Sequence, residues 1–346
     1  MSRLYEKIYA CLCGGIIGDA MGAPVEGKTY GEIERELGWV NTFQGAGTDD
    51  SAIKMILCDA LLESGGHVTA DEWAQSFLRN RRFYPLFYIP VRNMFHKVES
   101  GLSLPVHAGL GNMQSSSSAM SISPMGIVNA CDPRQAAQET FDAAGLIHAG
   151  DTSFCRDGAC AIAAAVAEAF SPDATADSVV DAATRYLHPV SSRVLLDTIR
   201  AVLELARQTG EYKAFRARFY EEFLQDIVCD SRETVPCVLA LFSLAGGDGR
   251  LALEYAANLG RDADTIGTML GAICGAFRGR EAFPAAWIEA LEKSFGQKTG
   301  VSKDYDYEAE TMTDQRELAK GLETLVLQRM EERARVQTRV AAVTEA

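Results

Sequence analysis

Gly14-Gly15-Ile16-Ile17-Gly18-Asp19-Ala20-Met21-Gly22 is the stretch on which the fold turns. Its glycines at 14, 18 and 22 recur every four residues, and Gly267, Gly271 and Gly275 repeat the pattern far down the chain. Glycine inside a helix costs about 1 kcal/mol relative to alanine. A glycine row on one face is tolerated where a second backbone must come close, as in small-xxx-small packing. The spacing predicts two central helices packed at unusually short range, with each other as the natural partners. A Gly-rich turn is the alternative for the first.

The flanking sequence is helical in period. Ile53, Ile56, Leu57, Ala60 and Leu61 recur at three and four, as do Ala136, Thr140, Ala143, Ala144 and Ile147, then Val194, Leu195, Ile199, Val202 and Leu205. The run from Ile266 to Phe277 is apolar nearly all round and must be buried. Alternating β-branched runs are scarce, so an all-α, many-helix domain is expected. The longest irregular stretch is read over 82–125, with the aromatics from Phe83 to Tyr88 available to stack on a base. After about 298 the composition becomes charged. An amphipathic helix is expected over 314–340 with Leu318, Leu322, Leu325 and Met330 on its apolar face. The division is a catalytic domain over 1–298 and a helical extension over 299–346, packing on the same domain or at an oligomer contact.

The chain has 346 residues, 33 Lys+Arg against 47 Asp+Glu, and a formal net charge of −14. Such acidity excludes a reader of nucleic-acid polymers, which needs a basic face, and an anionic-membrane binder. No apolar stretch reads as long enough to span a bilayer, and the charged start at Arg3, Glu6 and Lys7 does not read as a signal peptide. The nine cysteines are an odd number with no C-x-x-C pair. They read as reduced core residues of a cytoplasmic protein, not a zinc site.

Two acidic clusters precede helical runs: Gly47-Thr48-Asp49-Asp50-Ser51 and Arg261-Asp262-Ala263-Asp264-Thr265. Each is placed as a helix N-cap. A cap needs one acceptor, whereas each cluster offers two carboxylates and a hydroxyl. Paired carboxylates repel unless a cation neutralises them, and hard oxygen donors suit Mg²⁺, Mn²⁺ or Ca²⁺. A third patch carries Asp19, costly to bury unpaired, and Glu26 in a Gly/Pro-flanked loop, free to act as a mobile acid or base.

Taken together, Gly18-Asp19-Ala20-Met21-Gly22 with Glu26, Gly47-Thr48-Asp49-Asp50-Ser51, and Gly260-Arg261-Asp262-Ala263-Asp264-Thr265 followed by Gly271-Ala272 and Gly275-Ala276 resemble the ADP-ribosylglycohydrolases. This is the family of the dinitrogenase reductase-activating glycohydrolase and the ADP-ribosyl-acceptor hydrolases. The resemblance spans roughly residues 8–280. It implies a single all-α domain with a centre of two Mg²⁺ or Mn²⁺ ions held by Thr48, Asp49, Asp50, Asp262, Asp264 and Thr265. It implies hydrolysis of a glycosidic bond at ribose C1, with Glu26 as acid/base and Asp49 and Asp264 in the catalytic group. Ala263 stands where the family usually has Thr, and Ser51 where Thr is common. His148-Ala149-Gly150-Asp151 resembles the family's His-and-Asp segment, which puts His148 and Asp151 among the substrate-binding candidates with Asp19, Ser117, Ser118, Met120 and Gly126.

One departure bears on the substrate. Members acting on ADP-ribosylated proteins carry Asn-Gly and Met-Arg steps where this chain has Ser116-Ser117-Ser118-Ala119-Met120-Ser121, ahead of Pro124-Met125-Gly126. The missing Arg removes a partner for a diphosphate. A ribosyl or nucleotide-type small molecule, or a free ribonucleoside, then competes with an ADP-ribosylated protein as substrate. A catalytically silent, crystallin-like member is a further alternative. A prenyl-type synthase would want Asp-Asp-x-x-Asp, and residue 53 is Ile.

Overall fold

The computed structural model describes residues 1–45, 47–295 and 313–344. Ser2 accepts a hydrogen bond from the Tyr5 amide at 2.9 Å and starts the N-terminal helix, Arg3–Gly22. Its long-range partner is the Asp264 helix, Ala263–Arg278. The two glycine rows meet backbone to backbone. A Cβ placed on Gly18 would lie 2.0 Å from the Gly267 carbonyl oxygen, and one on Gly271 would lie 2.0 Å from that of Gly14. The helix-propensity cost of six glycines, about 1 kcal/mol each, is offset by dispersion along a seam that no larger residue could enter.

The rest of the molecule is wrapped around this pair. The helices Ser153–Ala169, Ser231–Leu244 and Gly249–Leu259 cover the other sides of the Asp264 helix. Every residue from Ala263 to Ala276 is buried. Among the described residues there is no strand; the only β pairings are isolated bridges, Thr29 with Gly260 and Leu110 with Ala149. The fold is all-α, as the periodicity predicts.

Several expectations need correction. The N-terminal helix with its 3₁₀ extension, Arg3–Val25, is long and apolar enough to cross a membrane by composition, with mean hydropathy 1.4. Its most apolar 18-residue window is 89% buried inside the protein, because the glycine seam consumes that surface. The stretch 82–125 is not one loop. It holds a helix, Ile89–Glu99, started by Pro90 and anchored by buried Val91, Met94 and Phe95. A short helix, Ser123–Val128, begins at its end. The C-terminal helix, Gln315–Thr344, packs against the N-terminal helix and buries Leu318, Leu322 and Leu325. Met330 is 59% exposed, because the buried stripe of the helix continues through Arg329, which bonds the Gly66 carbonyl, Asn129 and Glu139, and Met330 lies beside that stripe. All nine cysteines are free thiols and seven are buried; Cys131 is exposed and Cys229 half-buried.

Candidate metal and glycosyl site

Two helix starts and one helix end converge on a single pocket. Thr48 caps the Asp49 helix, Asp49–Glu63, with its hydroxyl accepting from the Asp50 amide at 3.4 Å. Asp262 takes the N-cap position of the Asp264 helix, yet its carboxylate makes no cap bond. Asp264 accepts from the Thr265 amide at 2.9 Å. The capping reading thus holds for Thr48, while Oδ2 of Asp262 has no hydrogen-bond partner.

The loop after the N-terminal helix is tied to the Asp262 turn. The Gly27 amide donates to the Arg261 carbonyl and the Arg261 amide to the Lys28 carbonyl, both at 2.8 Å. Glu26 is exposed, and the two residues that follow it are tied to the Asp262 turn. This ladder brings one carboxylate oxygen each of Glu26, Asp262 and Asp264 within 4.8 Å of one another. Arg261 is held at φ 60 and its guanidinium is occupied by buried Glu233, at 2.7 and 2.8 Å.

The pocket encloses about 110 Å³. It is lined by Glu26, Asp49, Asp50, Asp262, Asp264 and Thr265. Tyr88, Ser116, Ser117, Met120, Val228 and Cys229 complete the lining. That volume suits a sugar ring or a few waters and falls below the range of about 300–1,000 Å³ for whole drug-sized ligands. Burial and the charges of Asp19 and Glu26 push the Asp49 carboxyl up to about 7. Burial and mutual repulsion raise Asp50, Asp262 and Asp264 well above the ordinary carboxylate range.

These residues fit a divalent cation. Oδ1 of Asp50 and Oδ2 of Asp262 are fully buried with no hydrogen-bond partner, which is costly for a carboxylate unless a positive charge satisfies it. An all-oxygen donor set matches Mg²⁺ or Mn²⁺ rather than zinc.

The other sequence candidates sit around this pocket in different ways. Ser117 and Met120 line it. Thr48 is half-buried at the helix start, outside the lining. Asp19 is fully buried behind the Thr48–Ser51 turn and meets protein donors only. His148 does not line the cleft. It is fully buried between Ser115 Oγ at 3.0 Å and Ser118 Oγ at 2.9 Å, and burial pushes its pKa down to about 3. Ser118 faces His148 and is likewise turned away from the cavity. Gly126 is a packing position, where a Cβ would lie 2.6 Å from Val166. Asp151 is exposed on the 3₁₀ turn Gly150–Thr152, outside the lining. His148 instead braces the loop that presents Ser116 and Ser117, and Ser116 donates to the Cys229 carbonyl at 2.9 Å. Val228 and Cys229 were missed by sequence reasoning, since their loop has no periodicity and no motif.

A family model described as ADP-ribosylglycohydrolase matches residues 1–329. The chain belongs to the ADP-ribosylglycohydrolase family. The chain is 27% identical over 311 residues to the Escherichia coli protein YegU, covering 83% of this chain and 92% of YegU. It is 28% identical over 308 residues to a protein of Archaeoglobus fulgidus, with the same coverages. Both relatives carry the description uncharacterized. A solved structure titled ADP-ribosylglycohydrolase-related protein complex superposes with a TM-score of 0.67 at 20% identity, covering 94% of this chain and all of that one. That likeness establishes the all-α ADP-ribosylglycohydrolase fold.

Proposed function

We propose that the protein is a hydrolase that cleaves the glycosidic bond at C1 of a ribosyl substrate, using two divalent cations, Mg²⁺ or Mn²⁺. The observation that carries this reading is the pair of buried, unpartnered carboxylate oxygens of Asp50 and Asp262 in the pocket that Glu26, Asp49 and Asp264 also line. Asp49, Asp50, Asp262 and Asp264 would hold the ions, with the Thr48 and Thr265 hydroxyls. Bound there, divalent ions supply Lewis acidity toward ribose hydroxyls and water.

The chain's own groups account for the rest. Glu26 stands at the lip of the pocket, where its carboxylate takes the proton of the water that adds to C1. The C1 bond breaks with its electron pair leaving on the aglycone, which solvent protonates. Carboxylates beside C1 stabilise the oxocarbenium-like transition state. Met120, Val228 and Tyr88 add apolar surface to the pocket lining, which limits water around the sugar.

A second reading concerns the substrate. None of the residues lining the pocket is Lys, Arg or His. The two nearest arginines in sequence are held by acids: Arg261 by Glu233 and Arg232 by Asp230. A diphosphate beside the ribose would meet five carboxylates and no protein cation. This favours a phosphate-free, nucleoside-type ribosyl metabolite over ADP-ribosyl protein.

The test is a hydrolysis panel of N-ribosides, free nucleosides, ADP-ribosyl-arginine and O-acetyl-ADP-ribose, with Mg²⁺ or Mn²⁺ and with chelator. Asp264→Asn is expected to lose both cation binding and turnover, and Glu26→Gln to lose turnover alone. Normal hydrolysis by Asp264→Asn, or by the wild type in chelator, would overturn the reading.

A further inference from the structure

Asp19 and Lys54 are both fully buried, and neither lines the pocket. Asp19 projects from the N-terminal helix into the start of the Asp49 helix. Its carboxylate accepts from the Thr48 amide at 2.8 and 2.9 Å, the Ser51 amide at 3.1 Å and the Ser51 hydroxyl at 2.6 Å. Gly47, at φ 95, makes room for it. A Cβ there would lie 2.5 Å from Asp19 Oδ2 and 2.4 Å from Ser51 Oγ. One turn earlier, the Lys54 ammonium lies over Gly15, where a Cβ would come within 2.8 Å of Nζ. It donates a long hydrogen bond, 3.4 Å, to the Leu12 carbonyl. Burial pulls the Lys54 pKa down, and the charge that most opposes this is that of Asp19.

An interhelical strut alone needs no buried charges; a leucine would serve. A carboxylate with three donors, all on one turn, fixes the direction in which the next two residues leave that turn. Those residues are Asp49 and Asp50. Resting on the cation-binding reading above, we propose that Asp19 is a positioning residue. With Lys54 as its buried counter-charge, it locks the Thr48–Ser51 turn so that Asp49 and Asp50 face Asp262 and Asp264, and it touches neither substrate nor ion. Groups that orient ligands from behind typically change metal affinity 10–100-fold when removed.

The experiment is calorimetric titration of the full chain with Mn²⁺ alone, beside thermal melting of the same samples. Asp19→Asn is expected to bind Mn²⁺ at least about tenfold more weakly and to melt lower, because it strands the Lys54 ammonium. The double variant Asp19→Asn/Lys54→Met removes both charges. It is expected to recover melting temperature while keeping the weakened affinity. Recovery of affinity together with melting temperature would make the pair mere charge balance and overturn the proposal. So would an Asp19→Asn affinity within twofold of wild type. Should Asp19→Asn not fold, the double variant gives the same readout. Should neither fold, Ser51→Ala decides: weaker binding supports the proposal, with Ser51→Thr restoring it, and unchanged binding overturns it. A wild type that binds no Mn²⁺ overturns the cation-binding reading and this proposal together, whereas wild-type binding unaltered in the variants overturns this proposal alone.

Discussion

Replacing Gly18 with alanine tests the seam on which the fold is built. On an exposed helix the change is favourable by up to about 1 kcal/mol, because alanine restricts the unfolded chain and suits a helix. At Gly18 the new methyl would meet the Gly267 carbonyl oxygen at 2.0 Å and its carbon at 2.3 Å, where ordinary contact begins at 3.4 Å. The obstacle is backbone on a buried helix, so no rotamer change relieves it and the two helices must part over several turns. Overpacking of side chains typically costs 1–3 kcal/mol; a clash with rigid backbone belongs at about 3 kcal/mol or above, far more than the propensity gain. Gly31 provides the control. It lies in the helix Tyr30–Glu36, and a Cβ there meets nothing within 4 Å. Gly31→Ala is expected to be neutral or to stabilise by about 0.5 kcal/mol. The urea midpoint of Gly18→Ala should fall well below wild type, while that of Gly31→Ala stays at or slightly above it. A Gly18→Ala midpoint at or above wild type would refute the backbone-contact account of the glycine rows.

Two other outcomes follow from the site's electrostatics. Without cations, Asp49, Asp50, Asp262 and Asp264 favour their protonated forms in the fold. Their raised pKa values therefore stabilise the fold at low pH, and this contribution is lost as pH rises through about 7, where Asp49 ionises. At about 1.4 kcal/mol per pH unit of displacement, Asp49 alone accounts for at most about 4 kcal/mol. Melting temperature in chelator should fall from pH 5 to pH 8.5 and be restored by Mg²⁺; a flat or rising profile in chelator would contradict the clustering of these acids. Arg261→Met would leave the fully buried Glu233 carboxylate without its bidentate partner. A loss of about 3–5 kcal/mol is expected from denaturant midpoints, and a loss below about 1 kcal/mol would show that the pair does not hold the Asp262 turn.

Much of this architecture is written in period and composition. Glycines four apart announce close helices, and the two Asp-rich turns mark themselves as more than caps because each has more acceptors than a helix start can use. Other features are hidden for identifiable reasons. Pro90 and its aromatic neighbours read as a loop, yet proline is well suited to the first turn of a helix, and Val91, Met94 and Phe95 then supply a buried face. His148 looks like a cleft residue because its neighbours match a functional segment. Only the three-dimensional placement of Ser115 and Ser118 on its two nitrogens reveals a brace. Met330 looks like the next member of an apolar stripe, yet the buried position belongs to Arg329, whose guanidinium meets Asn129 and Glu139, and a hydrophobic pattern does not reveal a buried arginine. The Val228–Cys229 lining comes from an irregular loop whose role depends wholly on what it is folded against.

The glycine seam also sets an order of events during synthesis. The N-terminal helix leaves the ribosome roughly 240 residues before the helix that covers its glycine face. At 5–20 residues per second, that is a delay of about 10–50 s. Throughout it, a stretch with the composition of a membrane span has no permanent cover. Neither half of the candidate site can close in that interval, since Asp262 and Asp264 are also late to emerge. The helix Ala263–Arg278 then brings the cover for that glycine face and the second acidic cluster together, because both belong to one element.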